Sequence, residues 1–77
     1  MKSANTSKTI IEQTIVKIDE EIKGLKERKQ RLLKQIRTFK KIGIFKQEVE
    51  KMQQISSLIN ARIKSFNETR SKLGKYI

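Results

Sequence analysis

The chain has 77 residues, 19 Lys or Arg against 8 Asp or Glu for a formal charge of +11, and no His, Cys, Trp or Pro. Without His or Cys there is no catalytic triad, no Cys-His nucleophile, no imidazole acid or base near neutral pH and no thiolate or imidazole zinc site, so a non-enzymatic protein with no cofactor and no small-molecule substrate is expected. A core of this size rarely supplies more than about 3 to 5 kcal/mol, so a partner or self-association is expected as well.

The N-terminal residues are polar, with neither the apolar stretch of a signal peptide nor, anywhere along the chain, the run of about 18 apolar residues of a membrane span. The expectation is an intracellular, cytoplasmic soluble protein, with residues 1–8 as a flexible leader. Thr9 and Glu12 have the capping-box spacing, which predicts a helix over 9–40. Its apolar residues, Ile11, Ile15, Ile18, Ile22, Leu25, Leu32, Ile36 and Phe39, follow an alternating four-three spacing interrupted by Lys29, a heptad seam that a strand would not produce.

The phase breaks around Gly43, which predicts a turn over 41–44. A second seam then runs through Phe45, Val49, Met52, Ser56, Ile59, Ile63, Phe66, Arg70 and Leu73, predicting a helix over 45–73. Gly74 stands where a left-handed C-cap is wanted, leaving 75–77 as a short tail. The fold class is therefore all-α, an antiparallel two-helix coiled-coil hairpin turning near Gly43. Two registers fit: one sets Phe39 opposite Val49, Ile36 opposite Met52 and Leu25 opposite Ile63, and the other sets Ile36 opposite Val49 and Lys29 opposite Ser56. Gly24, inside the first helix, fits neither turn nor cap.

The charge is concentrated. Residues 23–46 hold ten basic side chains against one acid, Glu27, which is nine of the eleven net charges, and the remainder is close to neutral. Folded at Gly43, that segment becomes one end of the hairpin, a dense anion-binding surface of the kind that contacts a phosphate backbone. Lys26, Arg28, Arg31, Lys34, Arg37, Lys40 and Lys41 occupy outward heptad positions and are the candidate phosphate contacts. Two long heptad helices do not form a helix-turn-helix, and no aromatics are placed to stack on bases, so backbone and shape recognition is expected. That suits structured RNA, ribosomal RNA or nonspecific DNA.

The functional expectation is a nucleic-acid-binding hairpin, either a small ribonucleoprotein subunit or a dimeric regulator. The alternative is a protein-interaction or regulatory module, of the kind found as small phage or plasmid proteins, whose basic end docks on an acidic protein surface. No membrane partner is expected, because the narrow apolar seam is committed to the other helix. Leu33, Ile55, Leu58 and Ile59 widen the apolar stripe and are the expected interface for a homodimer, such as a four-helix bundle, or a larger assembly.

Overall fold

The computed structural model describes the backbone of residues 2–76 and the side chains of residues 7–76; Met1 and Ile77 lie outside the described residues. Two helices account for nearly all of it: α1, Lys2–Ile42, and α2, Lys46–Gly74. They pack side by side as an antiparallel hairpin 63 Å long and 15 by 12 Å across. With no Pro to interrupt either ladder, each helix runs unbroken, and α1 at 41 residues is longer than α2 at 29.

The turn is built on Gly43. It is the only described residue with positive φ, at 78°, and its N–H donates to the Phe39 carbonyl at 3.0 Å, the left-handed cap that satisfies an orphan carbonyl at the end of α1. Phe45 is the N-cap of α2. It offers no capping side chain, but its carbonyl accepts the first helical bond from the Val49 N–H at 2.9 Å. The Phe39 and Phe45 rings pack across the turn at 5.2 Å between centroids and 53° between planes, closing the end of the seam in a tilted aromatic pair.

All four helix ends differ from expectation, the two at the turn by only one or two residues, α1 running to Ile42 rather than 40 and α2 starting at Lys46 rather than 45. Residues 2–8 belong to α1, so the leader is helical and Thr9 lies inside the helix rather than capping it. Once a helix is nucleated, adding Ser, Asn or Thr costs only tenths of a kcal/mol each, about what a mid-chain capping box can offer in return. Gly74 is the last residue of α2 and is not left-handed: Lys75 follows in right-handed geometry, at φ −70° and ψ −17°. The N–H groups of Lys75 and Tyr76 donate to the Lys72 and Leu73 carbonyls at 3.3 and 3.1 Å, a tighter last turn that meets the free carbonyls without glycine's special conformation.

The core is the seam. Ile18, Ile22, Ile36, Val49 and Ile59 are buried along with Ser56, and Leu25, Lys29, Leu32, Met52, Ile63 and Phe66 are half-buried beside them. No described side chain falls below 2% exposure, so this is a single layer of apolar contact with water close on both sides. No buried side-chain polar atom lacks a partner among the described residues. The register is marked by Asp19 and Arg70, where the Arg70 Nε–H donates to Asp19 Oδ1 at 2.5 Å. Sliding α2 by one turn, as the second register requires, would carry the pair about 5 Å apart along the axis. The first register, with Ile36 level with Met52, is the one adopted, and α2 therefore ends near the level of Thr14 and Ile15.

Candidate nucleic-acid interface

Every one of the seven candidate cations is exposed, but they do not form one surface. Successive helical residues step about 100° around the axis, so positions that are all outward still divide between the two sides of a hairpin. On one side a groove is lined by Lys23, Lys26 and Gln30 of α1 with Asn67 and Arg70 of α2. On the other a groove is lined by Arg28, Arg31 and Gln35 of α1 with Ile55 and Ile59 of α2.

The first side is the cationic flank. The helical step places Lys23, Lys26, Lys34, Arg37 and Lys41 on it in one stripe about 27 Å long, with Gln30 filling the single gap in the four-three spacing. Lys40 lines the hollow that continues this flank around the turn, with Lys46, Glu50 and Gln53 across from it. Lys46 is a member of the cluster that its position beyond the turn obscures, and its signal was the charge run through 46. Lys64 of α2 falls on the same flank, separated from the stripe by uncharged Asn60 and Asn67. Glu27, the one acid in 23–46, stands at the outer edge of the Lys23 groove.

Arg28 and Arg31 belong to the opposite flank. They sit beside Ile55, and the same helical step places Ile10, Ile42, Leu58 and Tyr76 there too. The expected protein interface also divides. Ile59 is buried in the seam at 7% exposure and cannot serve a partner, because its heptad position faces α1. Leu33 is half-buried and lies toward the cationic flank, away from Ile55 and Leu58, which remain exposed.

The electrostatics are those of solvated charge. Asp19 holds the Arg70 guanidinium above its ordinary value, first by accepting its hydrogen bond and second by charge attraction, while both side chains stay about half exposed. A raised arginine contributes fully below its unfolded pKa and is lost only above it, so this group brings no pH dependence near neutrality. Arg62 stacks over Phe66 with its guanidinium carbon 6.0 Å from the ring centroid, one turn apart on α2. Among the described residues no group of three or more acidic side chains is arranged to hold a metal, and no helix is long and apolar enough to cross a membrane.

No family model, curated protein or solved structure matches this chain.

Proposed function

We propose that the protein is a non-enzymatic nucleic-acid-binding hairpin that holds the phosphate backbone along its cationic flank, as a small ribonucleoprotein subunit or a dimeric regulator. The observation that carries the reading is the stripe Lys23, Lys26, Lys34, Arg37 and Lys41, exposed on one side and continued at the turn by Lys40 and Lys46. Like charges held this close repel one another in the free protein, and a polyanion relieves that repulsion while releasing its own condensed counterions. Lysine predominates, which suits point-charge attraction to phosphates rather than bidentate reading of base edges. Arg28 and Arg31 are not needed for this surface.

The test is binding to a generic duplex, RNA and DNA in parallel, as salt is raised. Six phosphate contacts imply a loss of roughly a thousandfold in affinity between about 50 and 200 mM salt. Reversing Lys34, Arg37 and Lys41 to Glu should abolish binding while circular dichroism still reports the same helicity. Absence of binding to either duplex at low salt would overturn the reading and leave docking on an acidic protein surface as the use for this flank.

A further inference from the structure

The exposed apolar residues are unevenly distributed as well. Ile10, Ile42, Ile55, Leu58 and Tyr76, from 48% to 73% exposed, all fall on the flank away from the lysine stripe. Of the other exposed large apolar residues, Ile44 and Phe45 belong to the turn, and Val16, seven residues before Lys23, falls in line with the lysine stripe. The chain is also under-buried. Its accessible surface is 6553 Å², whereas a compact monomer of 9.1 kDa would expose about 4,900 Å². The excess is about twice the ~800 Å² that each partner contributes to an ordinary stable interface.

We propose that a second copy of this chain covers the apolar flank, α1 lying antiparallel on α1 of its partner, and that the dimer bridges two nucleic-acid segments. The occupant is argued from complementarity along α1. A second four-three stripe runs down this flank through Ile10, Thr14, Lys17, Glu21, Gly24, Arg28, Arg31, Gln35, Thr38 and Ile42. Turned end for end about a two-fold axis at the level of Lys26, it is complementary to itself. Ile10 meets Ile42, Glu21 meets Arg31, and Arg28 meets Gly24, where an added Cβ would find nothing within 4 Å. Thr14 faces Thr38, and both hydroxyls already donate to their own helix, at 2.8 and 3.1 Å, so burying them strands no donor. The same axis lays α2 on its counterpart, covers Ile55 and Leu58, and brings the two copies of Arg62 to its centre. Arg31, which the phosphate surface leaves out, finds an acidic partner here, and Arg28 finds room over Gly24.

Face-to-face packing leaves the two lysine stripes pointing away from each other, one on each side of a four-helix slab. A dimer so built holds two duplexes at once. The bridging step rests on the phosphate-binding reading, while the dimer does not.

The chain has no cysteine, so engineered thiols report geometry directly. Ile10 and Ile42 stand about 48 Å apart on one helix. An I10C/I42C variant should therefore oxidise to a covalent dimer, whereas I10C alone and I42C alone should not. Equal cross-linking of the single variants, or a mass of 9.1 kDa at every concentration by sedimentation, overturns the arrangement. E21R and R31E should each weaken the dimer about tenfold or more and together restore it, as a double-mutant cycle requires of paired charges. Bridging is read by whether a bead-tethered duplex, loaded with protein, captures a second labelled duplex. I55E/L58E, exposed positions whose change spares the hairpin, should bind single duplexes as before and capture none. Duplex binding without capture by the intact dimer overturns the bridging step. Loss of all duplex binding by an intact dimer overturns the phosphate reading and bridging with it, and leaves the dimer standing.

Discussion

Two glycines make the same residue type behave in opposite ways. Gly43 has a φ of 78°, a conformation that costs a residue with a Cβ about 1 to 2 kcal/mol, so Gly43→Ala should destabilise the hairpin by that amount. Gly24 sits in regular helix with open space around it, and Gly24→Ala should stabilise by about 0.5 to 1 kcal/mol through restricting the unfolded chain. Urea denaturation of the two variants at one protein concentration gives both values, and a loss at Gly24 would mean that even a methyl group is unwelcome there. Arg70 illustrates a different residue-scale outcome. Its seam position calls for an apolar side chain, yet its side chain stays 49% exposed and turns to Asp19, in an ion pair that salt will screen.

Between the two helices stability rests on few residues. Ile36 is the most buried of the described side chains, at 5% exposure, and Ile36→Ala removes it from a seam one layer thick. The expected cost, about 2 to 4 kcal/mol, is comparable to all that a core of this size supplies, so the variant should lose its cooperative thermal transition by circular dichroism at low concentration. Retention of a sharp transition would show that the helices are held from outside the seam. The seam itself was legible from the sequence, because heptad spacing reports directly which residues face the other helix. The turn was legible from the phase break at Gly43. The helix ends were not, since Thr9 with Glu12 and Gly74 offer local alternatives worth no more than continuing the helix or tightening its last turn. The division of the cations was legible too, because heptad position separates the two sides of the seam: Lys23, Lys26 and Arg37 fall on one and Arg28 and Arg31 on the other, which grouping them all as outward conceals. Lys26 beside Asn67 and Arg31 beside Ile55 agree with that division. The stripe from Ile10 to Ile42 is present in the sequence as well, hidden by the stronger seam running next to it.

At the scale of the whole molecule the hairpin is a rod with three different long surfaces: a seam, a cationic flank and an apolar flank. Its inside accounts for its shape, and its two flanks account for what it can touch. A charge total alone would predict attraction to any polyanion from any direction. The arrangement gathers the lysines nearest the turn on one side, and sets the exposed Ile10, Ile42, Ile55 and Leu58 among a sparser set of charges on the other.

The three-residue link between α1 and α2 also carries a kinetic consequence. Joining two chain segments costs least when the loop between them is shortest, so the first layer to form is Phe39 with Phe45, and the helices close outward from there like a zip. The earliest layers to close are also the most positively charged part of the chain, with Arg37, Lys40, Lys41 and Lys46 brought together before most of the seam exists to hold them. Mutual repulsion is therefore felt on the way into the folded state more than on the way out. Added salt, or a short polyphosphate, should speed refolding in stopped-flow measurements and leave the unfolding limb nearly flat; an effect confined to unfolding would place the turn last. An anionic partner would then do more than occupy a finished surface, because it would hasten the making of the fold that displays it.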